Sequence, residues 1–260
     1  MTRKSYPTDL KELQWLNIAH LIPGPKPGGR PRQYCNRDLL DAVFYLLSTG
    51  CSWRSLPHDF PPWESVYAYF RLWQSDGTWQ RIHEALRREV RGFDDRAPGP
   101  TAAVLDSQSV KTTSRGGDRG YDAGKKNRRP QAPYPRGHDG SVADGGGPRG
   151  RRAGSRRRPV LKRAKAEFPS LQLIWADGGY AGALIDWVKT ACGWVLQTVL
   201  RPAGVKGFVL LPRRWVVERT FAWLSRYRRL GKDYEYLTAV SETMILVAMI
   251  HIMARRTLDA

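Results

Sequence analysis

The chain has 260 residues, of which 43 are Lys or Arg and 24 are Asp or Glu, so its formal net charge is +19. This length suits one large or two small domains, and an apolar content of 41% is enough for a buried core. An excess of positive charge this large is typical of proteins that bind polyanions, most often nucleic acids. We expect no membrane partner, because no apolar stretch approaches the roughly 18 residues of a spanning helix.

The cysteines and the first residues indicate the compartment. Cys35, Cys51 and Cys192 lie far apart in the sequence, which predicts neither a disulfide framework nor a CxxC metal site. The opening residues MTRKSYPTDL contain no apolar signal region. Together these features predict a reduced, cytoplasmic protein.

Residues 1–92 are predicted to form a helical domain. In 37–50 the apolar residues recur at helical spacing, and Gly50 is expected to end that helix. The segments PPWESVYAYFRLW and WQRIHEALRREV predict two more helices. Short helices joined by tight turns, with Arg54 and Arg71 among them, favour a helix-turn-helix DNA-binding domain. A plain helical bundle is the alternative interpretation.

The second half of the chain is predicted to be an α/β domain with carboxylates at strand ends. Residues 102–105 form a short apolar strand that ends at Asp106, and 171–175 form another that is followed by Asp177. A glycine turn and a helix from Ala183 come next. Such folds present acidic groups in a cleft at the strand ends. Each aspartate taken alone is more often a turn residue or a helix cap, but two such aspartates favour a shared site.

A third carboxylate, Glu218, lies in the segment RRWVVERTFAWLSRYRRL beside a predicted helical apolar face of Val217, Phe221 and Leu224. A lone glutamate on such a helix is more often solvated or ion-paired, but here it lies among many cations that would contact phosphates. The residues for which we predict DNA contacts are Arg54, Arg71, Lys111, Arg213, Arg214, Arg219, Arg226, Arg228 and Arg229.

Three converging carboxylates suit phosphodiester chemistry. Cleavage and transfer need charge neutralised at the attacking and leaving oxygens, which two divalent metal ions about 3.5–4 Å apart achieve. Mg²⁺ takes hard oxygen ligands. We therefore predict that Asp106, Asp177 and Glu218 are catalytic and hold Mg²⁺ or Mn²⁺, with Asp106 bridging both ions.

The segments AVLDSQSVKTT, GYDAGKK, LIWADGGYAG and RRWVVERTFAWLSRYRRLGKDYEY resemble bacterial insertion-sequence transposases of the insertion-sequence-five family. The N-terminal LLDAVFYLLSTGCSWRSLPHDFPPWESVYAYFRLW resembles the DNA-binding region of the same proteins. The resemblance implies an RNase H-like DDE catalytic domain over 93–126 and 159–260, with Asp106, Asp177 and Glu218 at its acidic positions. It covers nearly the whole chain outside 127–158.

The resemblance also implies an activity, partners and a location. Such an enzyme cleaves double-stranded DNA at terminal inverted repeats and joins a 3′-hydroxyl to target DNA. It acts as a homodimer or multimer on DNA in the bacterial cytoplasm, associated with the nucleoid. The family's Tyr, Arg, Glu and Lys pattern is matched only in part: Arg214 and Glu218 fit, whereas Leu211 and Ser225 stand at the Tyr and Lys positions. Arg219 or Arg226 would then substitute in the terminal phosphate contacts.

Residues 127–158 interrupt the expected catalytic domain, where the two middle strands should fall. They include nine Arg, seven Gly and four Pro, and no Leu, Ile, Phe, Met or Trp. Such a composition cannot bury a central strand pair, so we predict a disordered basic segment in an α+β or α/β fold. A DNA-wrapping insertion is one explanation, but it leaves the missing strands unexplained.

The preferred explanation is a compensated pair of frameshifts, near Lys126–Asn127 and near Arg158–Pro159. Back-translated with GC-rich codons and read one nucleotide later, the stretch permits two Val- and Leu-rich strands joined by a turn. We therefore expect a transposase whose activity is impaired in this chain. The alternatives are a non-catalytic DNA-binding protein or repressor of the element, and an RNase H-like nuclease that joins no strands.

Overall fold

In the computed structural model, the residues described are 3–25, 28, 31–106, 108–111, 131–134, 153–176, 180, 182–199 and 215–257, with only the backbone for 108–111, 131–134 and 153–157. The chain divides into two compact units. We call residues 1–98, 224–231 and 243–260 the helical unit, and residues 99–223 and 232–242 the sheet unit.

The described elements follow one another as α1 (Glu12–Ala19), α2 (Asn36–Thr49), α3 (Trp63–Ser75), α4 (Thr78–Phe93), β1 (Ala102–Leu105), β2 (Gln108–Lys111) and β3 (Gln131–Tyr134). They continue with α5 (Ala153–Glu167), β4 (Leu173–Ala176), α6 (Ala183–Cys192), β5 (Val195–Thr198), α7 (Trp215–Ser225) and α8 (Thr238–Arg256). Two short 3₁₀ turns, Trp53–Ser55 and Arg228–Leu230, lie in the helical unit.

The predicted end of α2 at Gly50 is confirmed. Gly50 has φ 75°, in the left-handed region, and its N–H donates to the carbonyl of Leu46. A Cβ at this position would lie 3.0 Å from Cβ of Arg228. Glycine is therefore required both by the backbone conformation and by the close approach of another segment of the unit.

The helices of the helical unit are joined in two ways. Asp76 and Gly77 connect α3 to α4 as a tight turn, and Gly77 has φ 76°. In contrast, 13 residues, 50–62, separate α2 from α3. The expected tight turn therefore occurs between α3 and α4, and the connection between α2 and α3 is longer than the three or four residues of a helix-turn-helix.

The core of the helical unit is made by α2, α3, α4 and the C-terminal part of α8. Its fully buried side chains include Leu39, Phe44, Leu46, Phe70, Trp79, Ile82, Val247, Ala248 and Ile250. The indole N–H of Trp79 donates to the carbonyl of Phe70 at 3.1 Å, which satisfies the polar edge of a buried ring. The four helices therefore complete one another's apolar surfaces.

The N-terminal segment is fixed to this core by charges. The guanidinium of Arg3 lies 4.3 Å from the ring centroid of Phe60 and pairs with Asp9 at 2.6 Å and with Asp41 at 3.4 Å. The carboxylate of Asp41 also accepts the N–H of Leu10 at 3.1 Å. Burial raises the pKa of Asp41 to about 7.

Helix α8 corrects the expectation that no stretch has the length of a membrane span. With 19 residues, α8 is long and apolar enough to cross a membrane by length and composition alone. However, 67% of its apolar 18-residue stretch is buried inside the protein. The ring of His251 on α8 stacks on Phe44 with centroids 4.3 Å apart, and its Nδ1 lies 3.0 Å from Oη of Tyr227. Burial lowers the pKa of His251 to about 3, so the ring is neutral.

The sheet unit contains a parallel three-stranded sheet in the order β1, β4, β5. Leu105 pairs with Ala176, which pairs in turn with Thr198. Helix α6 connects β4 to β5 as a parallel crossover. The core beside this sheet consists of Ala103, Leu105, Leu161, Ala164, Leu171, Ile174, Ala176, Tyr180, Leu184, Val188, Cys192, Trp194 and Leu196. The predicted mixed helix and strand composition is therefore present.

The prediction of a wholly disordered 127–158 segment is wrong in two places. Gln131–Tyr134 form β3, which pairs antiparallel with β2, and residues from Ala153 onward belong to α5. Backbone N–H and C=O groups build such a ladder without apolar side chains, which the composition argument overlooked. The remaining residues of 127–158 lie outside the described part of the chain.

The compact units also differ from the predicted domain boundaries at the C-terminal end. Residues 159–260 were expected to complete one catalytic domain, yet 224–231 and 243–260 belong to the helical unit. The physical reason is the apolar surface of α8, whose Met244, Ile245 and Met253 are buried. Sequence order alone does not reveal such a return of the chain.

Candidate active site

Asp106 lies at the end of β1, as predicted. The strand before it is anchored by Ala103, Val104 and Leu105, all buried, because both faces of a parallel strand are usually covered. Asp106 itself is partly buried, so the buried part of this segment ends at Leu105 and the next residue is accessible to solvent.

Strand β4 confirms the other predicted apolar strand, and its register relates it to Asp106. Leu105 is the Cα partner of Ala176, so the residues that follow this pair in the sequence are Asp106 and Asp177. Asp177 itself lies outside the described residues. The structure therefore contains the strand that precedes Asp177, and the position of the Asp177 side chain remains a prediction.

Glu218 lies on α7, in the first turn. The predicted apolar face is present: Val217 and Leu224 are buried and Phe221 is partly buried. Glu218 is exposed, as are Trp215 and Ala222. Residues three and seven positions apart share one face of a helix. The carboxylate thus belongs to a solvent-facing stripe of α7, a position that suits a metal ligand and a solvated carboxylate equally.

Next to Glu218, the guanidinium of Arg219 lies between two indole rings. Its central carbon is 4.6 Å from the ring centroid of Trp215 and 4.6 Å from that of Trp223. Both distances are within the roughly 6 Å range of a cation–π contact. We call these three residues the α7 ladder. It fixes a positive charge beside a carboxylate that is itself exposed.

The ladder was missed by the sequence analysis, which predicted Arg219 as a contact to DNA and to its terminal phosphate. The signal was present, because positions 215, 219 and 223 are each separated by four residues and so share one helix face.

A metal centre is not assembled by the described residues alone. Within the part of the chain that the structure describes, no group of three His, Cys, Asp or Glu side chains is placed to hold a metal ion. Asp177, which is also a predicted ligand, lies outside that part of the chain. The ligand set of Asp106, Asp177 and Glu218 therefore remains a prediction.

The predicted DNA-contacting cations have different environments. Arg54 is exposed, with its guanidinium 5.4 Å from the ring centroid of Trp63, whereas Arg71 is partly buried and donates to Oη of Tyr67 at 3.5 Å. Arg226 and Arg228 are exposed. Arg213, Arg214 and the side chain of Lys111 lie outside the described residues.

Arg229 requires a correction. Its side chain is 8% exposed and donates to the carbonyl of Cys51 at 2.9 Å. A buried guanidinium that satisfies a backbone carbonyl is a structural residue and is not available to DNA phosphates. Its position beside the exposed Arg228 explains the error, since a run of arginines does not show which one faces the core.

Comparison with protein families gives two matches. Residues 10–83 match the family described as "Putative transposase of IS4/5 family", and residues 97–253 match the family described as "Transposase DDE domain". The second match spans more than half of the 260 residues. No solved structure matches the chain significantly.

The chain is also similar to two bacterial proteins. The chain is 34% identical over 110 residues to "Insertion element IS402 uncharacterized 16.2 kDa protein" of Burkholderia cepacia, covering 39% of this chain and 72% of that protein. It is 30% identical over 81 residues to "Uncharacterized protein y4sN" of Sinorhizobium fredii (strain NBRC 101917 / NGR234), covering 31% of this chain and 65% of that protein.

Proposed function

Because the chain belongs to the DDE transposases of bacterial insertion sequences, we propose that its catalytic machinery cleaves DNA at the ends of such an element and joins a 3′-hydroxyl to target DNA. The observation that carries this proposal is the register of the parallel sheet. Leu105 and Ala176 are paired, and a carboxylate follows each of them in the sequence. Neighbouring parallel strands end at the same edge, which would bring Asp106 and Asp177 together.

Glu218 supplies the third carboxylate in this proposal, from the exposed stripe of α7. Members of the family generally use a divalent metal ion. Carboxylate oxygens are the hard ligands that Mg²⁺ and Mn²⁺ prefer. Asp106, Asp177 and Glu218 would hold the ions, which when bound neutralise charge on the reacting phosphate.

Double-stranded DNA is the partner that this role requires, at the terminal inverted repeats and at the target. The net charge of +19 supports it, because counterion release from phosphates drives such binding. Exposed Arg54, Arg226 and Arg228 are the described cations that we place at the DNA. The RNase H-like fold, action as a homodimer or multimer, and association with the bacterial nucleoid belong to the same proposal.

We further propose that 127–158 is a frameshifted stretch and that catalysis by this chain is impaired. Among the α5 residues whose side chains are described, 158–167, Leu161 and Ala164 enter the core, and both follow Pro159, where we place the return to the original reading frame. Two lost core strands would remove several buried side chains worth about 1.5–3 kcal/mol each. Total stabilities are only about 5–15 kcal/mol. The sheet unit would then be too unstable for efficient catalysis.

The decisive experiment compares this chain with a frame-restored chain, in which codons 127–158 are read one nucleotide later. Both are purified and incubated with Mg²⁺ or Mn²⁺, a pre-cut duplex from the element's end, and a target plasmid. We expect joined products from the restored chain only. Glu218→Gln should abolish them, whereas Glu167→Gln, an exposed carboxylate on α5, should not.

Each outcome decides a separate point. Strand joining by the unrestored chain would refute the impairment. Activity of restored Glu218→Gln would refute the assignment of Glu218. Stop codons in the shifted frame would show that 127–158 is a genuine insertion. Cleavage without joining of pre-cut ends would favour the nuclease alternative.

A second candidate function is favoured by the helical unit. Its described buried side chains come from residues 1–98, 224–231 and 243–260, so we expect it to fold when the sheet unit does not. The chain would then bind the element's ends and repress transposition. In the frame-restored chain, Asp177→Ala should abolish joining and leave end binding unchanged, and a gel-shift assay with an end duplex would measure the binding.

A further inference from the structure

The solvent-facing side of α4 carries long polar side chains at helical spacing. Gln80, Arg81, Glu84 and Arg88 are exposed, and the side chains of the last three are 51%, 50% and 61% exposed. Residues three or four positions apart share one side of a helix, so these side chains lie together. We call the four residues the α4 face.

The opposite side of α4 is fixed to α3. Trp79 and Ile82 are fully buried, and the ring of Trp79 meets that of Trp73 edge-on with centroids 5.2 Å apart. The bond from the Trp79 indole to the carbonyl of Phe70 adds a directional contact. These contacts determine which side of α4 is presented to solvent.

The link between α3 and α4 is short and rigid. The carboxylate of Asp76 accepts the N–H of Thr78 at 2.9 Å and its hydroxyl at 2.6 Å, and Gly77 takes the left-handed conformation that the turn requires. A short link that contains glycine is typical of helix-turn-helix proteins, whose second helix lies in the major groove of DNA. In this chain, α4 is the second helix of such a pair.

We propose that the α4 face contacts base edges in the major groove of the element's terminal repeat. The inference rests on the proposed DNA function and deepens it by naming the residues that select the sequence. The major groove is wide enough to admit an α-helix. Arginine forms two hydrogen bonds with guanine, glutamine pairs with adenine, and glutamate accepts a hydrogen bond from cytosine. The α4 face thus carries side chains that distinguish bases, which a lysine-rich surface would not.

Arg81 is held in position before DNA binds. Its guanidinium donates to the carbonyl of Asp76 at 2.7 Å and to Oγ1 of Thr78 at 2.8 Å. A guanidinium has five N–H groups, so these two bonds leave donors for a base. A side chain that is already ordered loses less conformational entropy on binding. We therefore place Arg81 at a guanine.

The charges of the α4 face are compatible with DNA. Glu84 accepts a hydrogen bond from Arg88, one turn further along the helix, so the carboxylate approaches the phosphates with its charge compensated. With Arg81 included, the arginines outnumber the carboxylate. The face is therefore positively charged, which favours a polyanionic partner.

The first test compares a duplex that carries the terminal repeat with a duplex of equal length and composition in which the repeat is shuffled. Affinities of the full chain are measured by fluorescence anisotropy at constant salt. We expect the parent to prefer the repeat. Arg81→Lys keeps the charge but lacks the planar group, so it should lower this preference about ten-fold and leave binding of the shuffled duplex nearly unchanged. Gln80→Ala should lower the preference in the same way.

A modified duplex tests the groove directly. Replacing every guanine of the repeat with 7-deazaguanine removes the N7 acceptor in the major groove and keeps base pairing intact. The parent should bind this duplex less tightly than the natural repeat. Arg81→Lys should bind both with similar affinity, because the contact to guanine is already lost.

The matched controls are Arg96→Lys and Gln33→Ala, which change exposed residues of the same unit outside the α4 face. Both should keep the preference of the parent, and far-UV circular dichroism must show that each variant is folded. If Arg81→Lys does not fold, because Arg81 also supports the turn, Gln80→Ala and the modified duplex decide the outcome.

Three results would overturn the inference. These are equal affinities of the parent for the repeat and the shuffled duplex, an undiminished preference in the folded variants of the α4 face, and an equal loss on both duplexes, which would indicate a phosphate contact. Strand joining by the frame-restored chain is a separate measurement. Its absence, with the preference for the repeat retained, would refute the proposed catalysis and leave the assignment of the α4 face intact.

Discussion

The two units use their cations in different ways. In the helical unit, Arg87 and Arg229 are 6% and 8% exposed, and each donates to a backbone carbonyl, that of Pro98 at 3.0 Å and that of Cys51 at 2.9 Å. In the sheet unit, Arg219 contacts indole faces on α7 beside an exposed carboxylate. Arg87 and Arg229 stabilise the fold, whereas Arg219 is partly buried and is held by aromatic rings on one helix.

The difference shows that net charge alone does not locate a DNA-binding surface. A buried guanidinium must be matched by oxygen acceptors, since burial without a partner is costly. Such a residue contributes to the formal charge of +19 but presents little of it to DNA. Substitution of a buried arginine in the helical unit should therefore lower the free energy of unfolding. Substitution of an exposed arginine there should weaken DNA binding instead.

The largest expected effect comes from removing the C-terminal segment of the helical unit. A chain that ends after Glu242 loses the buried side chains of α8, including Ile245, Val247 and Ile250. Each contributes about 1.5–3 kcal/mol, so their sum rivals the total stability of a domain. We expect the cooperative thermal transition of the helical unit to disappear, as measured by circular dichroism at 222 nm.

A chain that ends after Thr257 is the control for this truncation, because it removes only residues 258–260 and keeps α8 whole. Its transition should match that of the parent. If the chain ending after Glu242 unfolds cooperatively at the parent's temperature, the assignment of 243–257 to the helical unit is wrong.

The helices and strands themselves could be predicted from the sequence far better than the segments against which they pack. Gly50 marks the end of α2 because a left-handed conformation favours glycine, and Asp106 follows β1 because apolar residues end there. Both signals lie within a few residues. The return of α8 to the helical unit depends instead on contacts between residues far apart in the sequence, which a local pattern does not contain.

The candidate site shows the same limit. The strand-end and helical patterns predicted Asp106 and Glu218 as site residues, and the family resemblance implied the same roles. The sandwich around Arg219 and the burial of Arg229 depend on which face of the helix or turn is covered. That information is tertiary, so the sequence analysis predicted DNA contacts for both Arg219 and Arg229.

Arg228 and Arg229 are adjacent in one 3₁₀ turn, so they allow a direct comparison of an exposed arginine with a buried one. Arg229→Ala leaves the carbonyl of Cys51 without its charged donor, and we expect a loss of about 2 kcal/mol in the free energy of unfolding. Arg228 is exposed, so Arg228→Ala should change that free energy by less than about 0.5 kcal/mol. Urea unfolding followed by circular dichroism measures both.

DNA binding should show the reverse order for this pair. Arg228→Ala should weaken binding of an end duplex and reduce its salt dependence, because an exposed cation contributes to counterion release. Arg229→Ala should leave binding by the folded fraction unchanged. Equal stabilities of the two variants would contradict the structural role of Arg229.

A pH dependence within the helical unit is expected to be as large as the effect of Arg229→Ala, but only under acidic conditions. Burial lowers the pKa of His251 to about 3, so between this value and the unfolded pKa near 6.5 the unfolded state binds more protons. The stability contributed by the neutral ring is present above pH 6.5 and is lost as the pH falls. At pH 5 the loss is about 2 kcal/mol, and His251→Phe should remove it, which urea unfolding between pH 8 and pH 5 would show.

Asp41 in the same unit provides the opposite sign and so a control for the argument. Burial raises its pKa to about 7, so the folded state binds more protons between the unfolded value near 3.8 and pH 7. Its contribution is present at low pH and is lost as the pH rises toward 7. Asp41→Asn should therefore make the chain more sensitive to acid, whereas His251→Phe should make it less so. If the free energy of unfolding depends on pH in the same way in both variants, the pKa shifts that burial causes in Asp41 and His251 are contradicted.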